Sequence, residues 1–385
     1  MERIGMMGTS LTKTSAAPLA PIPVSSRRRA SASASAAFAV FALTLSTAFA
    51  GAANVIVQSA IDGFVRPGYA AFAGATKALK ADTDALCLTP SLSQLSQARA
   101  AFQSAVAAWS RVEIIRFGPV TEENRLEKIL YWPDRKGIGL KQVQAAIAKE
   151  DSGAANPIAL AGKSVAMQGL GALEFVLYGT GAETLTTGAP YRCTFGAAIS
   201  ANLNEMAQDI SASWSAADGF AAQWANPAAN NALYRTDSEA VSELVDVFVQ
   251  GLEMVRDVRI NSFLGITPEA DKPRQALYWR SRATTVSLSA NLQGLQALFE
   301  ASGLAKALTG DSAHIGQSVA AILTNSAAAL DGMGTRPIAD DLADAESRKK
   351  LDYFRTTTSA LSEQIGVRLT GALGLSAGFS SLDGD

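Results

Sequence analysis

Between Ser91 and Phe117 the chain reads SLSQLSQARAAFQSAVAAWSRVEIIRF, and its apolar residues return in steps of three and four: Leu95, Ala98, Phe102, Val106, Trp109, Val112 and Ile115. Residues so spaced share one face of a helix, whereas a strand needs strict alternation. Ser91 or Ser93, after Pro90, supplies an N-cap, and Gly118-Pro119 supplies a stop. The same periodicity predicts further helices over 55–80, 138–149, 157–178, 193–217, 236–261, 273–301, 311–331 and 338–371. No segment alternates convincingly. Ala, Leu and Ser are abundant, while β-branched runs and aromatics are sparse. Pattern and propensity together predict an all-α protein of up-and-down bundles.

The chain has 385 residues, 48% of them hydrophobic, enough for one large core or two smaller ones. Two echoes point to an internal duplication: LYWP at Leu130–Pro133 with LYWR at Leu277–Arg280, and GLGALEF at Gly169–Phe175 with GLQALFE at Gly294–Glu300. The stretch around Asn226–Asp237 then becomes the junction, with one helical bundle over 51–232 and a second over 233–385. A formal net charge of −2 argues against a nucleic-acid partner.

Residues 1–50 read as a secretory signal peptide: Arg27, Arg28 and Arg29 as a positive n-region, Ala36–Leu45 as a short apolar segment, and Ala48-Phe49-Ala50 as a cleavage site. The apolar residues expected just after a twin-arginine pair are missing, which favours the general secretory route. No later segment is long and apolar enough to span a bilayer. No lipid-attachment cysteine lies near the cleavage site, and membrane association stays open. Export gives meaning to the only two cysteines, Cys87 and Cys193. An oxidising compartment favours a bridge over two buried thiols, and both cysteines lie in polar, loop-like contexts, DALCLTPS and GAPYRCTF.

The catalytic inventory is thin. His314 is the only histidine, there is no H-E-x-x-H, and no nucleophile elbow supports a serine triad. Its expected place is a helix cap or the surface. Two stretches stand out instead. In WSRVEIIRFGPVTEENRLEKILYWPDRKG, charged residues crowd aromatics at a helix break, either as a salt-bridged corner or as a functional loop. In GLGALEFVLYG, Glu174 stands alone on an apolar face, which is costly unless it is paired or binds something. Arg116, Arg125, Arg280 and Arg282 are its candidate partners. Gly169 and Gly171, each disfavoured in a helix by about 1 kcal/mol, signal close packing or a binding site.

The motifs IRFGPVTEENRL, WPDRKGIGLKQV, GLGALEFVLYG, YRC and LGLSAGFSSLDGD together resemble the imelysin-like family. The resemblance implies an exported, all-helical protein of two four-helix bundles related by duplication. It also implies a place among iron-regulated periplasmic and outer-membrane proteins, in a family whose founding member is described as an insulin-cleaving protease. The family's G-x-H-x-x-E hallmark maps onto Gly169, Gly171 and Glu174, with Gly171 where the histidine stands. That departure removes an imidazole ligand and argues against metallopeptidase activity. Any metal would need oxygen ligands, for which local chemistry nominates Glu174, Glu113 and Asp134, a set suited to a hard cation such as Fe³⁺ or Ca²⁺. Otherwise Gly169, Gly171, Glu174, Arg116, Arg125 and Trp132 would form a pocket for a polar ligand or an iron chelate. The expected function is therefore an exported, periplasmic binding protein of iron acquisition, with envelope transport proteins as partners. The alternative is a carbohydrate- or partner-binding protein using Tyr131, Trp132 and Trp279 as platforms, although Trp279, inside a predicted helix, reads first as core.

Overall fold

The computed structural model describes residues 54–375; the expected signal peptide and most of the LGLSAGFSSLDGD stretch lie outside them. The described residues are all-α, with no strand among them. The main helices are α1 (Arg66–Leu88), α2 (Leu92–Val112), α3 (Ile138–Lys149), α4 (Gly169–Tyr178) and α5 (Pro190–Ser215), then α6 (Asp237–Glu253), α7 (Thr284–Ser302), α8 (Ala313–Asp331) and α9 (Ala345–Glu363).

The periodic stretch forms α2 as expected, capped by the Ser91 hydroxyl, which accepts from the Gln94 N–H at 3.1 Å. Leu95, Phe102, Val106 and Trp109 are buried along its predicted face. The helix ends at Val112, before Gly118-Pro119, and the Tyr69 hydroxyl takes the Ile115 carbonyl at 2.9 Å just beyond its end. At α6, Thr236 and Glu239 form a reciprocal capping box.

Three predicted helices are interrupted. The segment 157–178 breaks into Pro157–Ala161, a 3₁₀ turn at Val165–Met167, and α4. Gly169 opens α4 at φ +75°, incompatible with a continuous right-handed helix. The segment 273–301 has a 3₁₀ turn at Pro273–Gln275 and is α-helical only from Thr284, because Tyr278 and Arg282 both take positive φ, 60° and 61°. The segment 338–371 restarts at Asp344, whose carboxylate caps α9 by accepting from the Ser347 N–H.

In the packing, α1 lies against α2 and α5, α2 also meets α7, α7 packs on α8, and α9 packs on both α6 and α8. Residues 226–236 form a non-helical connection into α6. The Cys87–Cys193 disulfide ties the last turn of α1 to the first turn of α5, with Cα atoms 5.5 Å apart. Both cysteines are helical, not in the loops their sequence contexts implied.

The glycines that head the two echoed segments both mark backbone crossings. A Cβ on Gly169 would stand 2.3 Å from the Ile129 and Lys128 carbonyl oxygens, and one on Gly294 would stand 2.1 Å from the Arg111 carbonyl oxygen. Only a glycine admits backbone that close. None of the described helices is long and apolar enough to cross a membrane.

Candidate functional site

Helix α4 carries the GLGALEF motif, and its two glycines do different things. Gly169 is buried at the crossing just described. Gly171 is exposed, and a Cβ there would meet nothing within 4 Å. One turn further on, Glu174 is buried at 5% exposure. Its Oε1 accepts from the Ser281 N–H at 2.9 Å and the Ser281 hydroxyl at 2.8 Å. Burial pushes the Glu174 carboxyl above its ordinary range, while the Ser281 hydrogen bonds and the Arg280 charge pull it back. Of the four arginines expected as partners, only Arg280 acts on Glu174, as a nearby charge rather than through a close ion pair.

Gly171 and Glu174 line a small recess of about 80 Å³ with Tyr131, Trp132, Asp134 and Arg280. This recess adjoins a cleft of about 690 Å³, which shares Trp132, Asp134, Phe175 and Arg280 with it and adds Arg135, Thr180, Asp257, Arg274 and Trp279. The cleft draws its walls from both the 132–180 and the 257–280 segments. Trp132 also lines a third cavity of about 290 Å³ with Arg116, Met254 and Arg259. Its indole N–H is buried without a hydrogen-bond partner.

The three nominated carboxylates do not converge, and among the described residues no group of three His, Cys, Asp or Glu side chains is placed to hold a metal ion. Each carboxylate has its own partners. Glu113, 1% exposed, accepts from Arg259 Nη2 and from Asn291 Nδ2, both at 2.8 Å. Asp134 accepts from the Ile138 and Leu140 N–H groups at 2.7 and 3.2 Å, pinning the start of α3. Glu174 is held by Ser281. The three carboxylates are held apart on separate partners, so this donor set does not converge on a bare cation.

The remaining candidates divide. Arg116 points Nη1 at the Met254 sulfur, 3.7 Å away, and lies beside Trp132 in the third cavity. Arg125 is structural: it donates to the Pro119 carbonyl at 3.1 Å and pairs with Glu122 at 3.0 Å, the salt-bridged corner that its sequence context allowed. His314 is an exposed residue at the start of α8, its Nδ1 against the Asp311 carbonyl, and lines neither the cleft nor the recess. Trp279 is not in a helix: it is half-buried in the turn before α7 and lines the cleft. The Arg280 and Arg274 guanidinium carbons lie 4.5 and 5.9 Å from its ring centroid.

Sequence reasoning missed Ser281 and Arg274. The only available signal was the LYWR echo beside them, which marked the segment without indicating that it turns.

The family description for imelysin (peptidase M75) matches residues 65–365. The chain belongs to the imelysin family. Two solved structures share the imelysin fold seen here. An imelysin-like protein from Psychrobacter arcticum 273-4 superposes with a TM-score of 0.71 at 20% identity, covering 86% of this chain and 98% of its own. A candidate iron-regulated protein A precursor from Parabacteroides distasonis ATCC 8503 gives a TM-score of 0.69 at 14% identity, covering 84% and 95%. A comparison with curated proteins finds no match. In this imelysin chain Gly171 lines an open recess beside the larger cleft.

Proposed function

We propose that this imelysin-family chain is an exported, periplasmic binding protein of iron acquisition that takes iron as a small chelate in the cleft beside Gly171 and Glu174. The observation that carries the reading is the geometry of the cleft. It offers about 690 Å³, a size suited to a small-molecule ligand, and its walls mix aromatic rings with guanidinium groups. The carboxylates that could hold bare iron are committed elsewhere, so the oxygen ligands belong to the chelator. The signal peptide of the sequence supports export, and the description of the Parabacteroides neighbour as iron-regulated supports the link to iron. The reading assigns no peptidase step, because a catalytic zinc takes three protein ligands and the lone histidine sits elsewhere.

The test uses the indoles of Trp132 and Trp279 as reporters. Ferric citrate, a ferric trihydroxamate and ferrous sulfate are titrated into the protein while tryptophan fluorescence is followed. Saturable quenching by at least one chelate, weakened when Gly171→Phe fills the recess, is the expected result. Quenching by ferrous ion alone that disappears in Glu174→Ala would instead establish direct metal ligation. Silence towards both chelates would end the iron-chelate reading.

A further inference from the structure

We infer that the ligand is a small polycarboxylate, read by Arg274, Arg280 and Arg282 across two adjoining cavities. The inference deepens the chelate reading and rests on it only for the iron. A cavity of about 410 Å³ shares Thr180, Arg274, Trp279 and Arg280 with the main cleft and adds Arg282 and Pro337 to its wall. No acidic residue lines it. The main cleft has two, and both are engaged: Asp134 with the start of α3, and Asp257 in a two-point pair with Arg256 at 2.8 and 2.5 Å.

Among the described residues, none of the three arginines has a side-chain hydrogen bond or an ion pair with the protein. Arg274 and Arg280 nonetheless sit over one indole. Burial lowers the pKa of the Arg280 guanidinium first, the Glu174 carboxylate raises it, and the like charge of Arg274 lowers it again by less. Beyond that one buried carboxylate the three guanidinium groups have no close ion partner among the described residues, and an anion entering the cavities would supply one.

The geometry also selects the kind of anion. Trp279 already carries guanidinium groups over its ring, so it orients them by cation–π contact rather than offering a bare face to a sugar or an aromatic ligand. Arginine lines both cavities, and its planar N–H fork matches carboxylate oxygens in pairs. Three such forks spread over two cavities suit several separate carboxylates on one molecule. A single inorganic phosphate would engage only part of the set.

The test is calorimetric titration of the full chain with citrate, ferric citrate, a ferric trihydroxamate and inorganic phosphate, for the wild type, Arg274→Gln/Arg280→Gln and Arg274→Lys/Arg280→Lys. Arg274 is exposed and Arg280 half-buried, and thermal melts of each variant verify the fold. The expected result is citrate binding in the wild type, with or without iron, weakened by about a hundredfold or more in the Gln variant, which loses two charge-assisted contacts. The Lys variant keeps charge but loses the fork, and falls between. Binding of citrate without iron but of no ferric complex upholds the polycarboxylate site and removes the iron. Binding of the trihydroxamate alone overturns the polycarboxylate assignment and leaves the chelate reading standing. Citrate affinity unchanged in the Gln variant, phosphate binding as tight as citrate, or no citrate binding at all would each overturn the inference.

Discussion

Adding one methyl group at Gly169 and at Gly171, two residues apart at the start of α4, should have opposite effects. At Gly169 an alanine would have to hold φ +75°, which disfavours an L-residue by about 1–2 kcal/mol. Its Cβ would also stand 2.3 Å from two carbonyl oxygens, Ile129 and Lys128. Backbone cannot move aside as a flexible side chain can, so overpacking adds about 1–3 kcal/mol. Gly169→Ala is therefore expected to destabilise by about 2–5 kcal/mol. At Gly171 the added Cβ meets nothing within 4 Å, and alanine is the better helix former by roughly 0.5–1 kcal/mol. Gly171→Ala should leave the protein as stable as the wild type or slightly more so. Urea unfolding followed by far-ultraviolet circular dichroism reads both, as midpoint shifts at constant slope. If Gly169→Ala unfolds at or above the wild-type midpoint, the close crossing is not there. If Gly171→Ala falls as far as Gly169→Ala, the recess is not open, and the place assigned to the missing histidine loses its physical basis.

The buried Glu113–Arg259 pair is 1% and 5% exposed, so Glu113→Ala, which strands the guanidinium, should destabilise by about 3–5 kcal/mol in the same assay. Replacing both residues by leucine should cost clearly less than the single change. Reduction of Cys87–Cys193, which spans 106 residues of sequence, should lower stability by about 2–5 kcal/mol; equal unfolding midpoints with and without reductant would contradict this. Glu174 gives a pH signature. Its folded pKa is raised by burial, so between the unfolded and folded values the native state binds more protons and stability falls as pH rises. Glu174→Gln keeps an oxygen for Ser281 and cannot ionise. Its stability relative to the wild type should rise as pH increases through that window, and a difference that stays flat with pH would refute the assignment.

Much of the secondary structure was legible because a helix is a local object. The predicted span 138–149 is the observed α3, and the Ser91 cap follows from its neighbours alone. The cysteine pair was legible by counting, once export was inferred. The glycines posed the right question, close packing or binding, but one residue answers it each way, and no pattern within the motif says which. The interruptions at Gly169, Tyr278 and Arg282 escaped prediction because periodicity does not record the sign of φ. Trp279 was read as core for the same reason: its segment keeps a helical pattern of apolar residues but turns.

The sequence by itself determined an all-α chain, its family and the motif that marks the site, since helix periodicity, capping and motif spacing act over a few residues. Only the tertiary structure decided which carboxylate meets which partner. Ser281 reaches Glu174 across 107 residues of chain, and Arg259 reaches Glu113 across 146. Those pairings depend on desolvation and on donor geometry, which exist only after distant helices have packed. They convert a nominated metal cluster into three structural carboxylates, each held by its own partners.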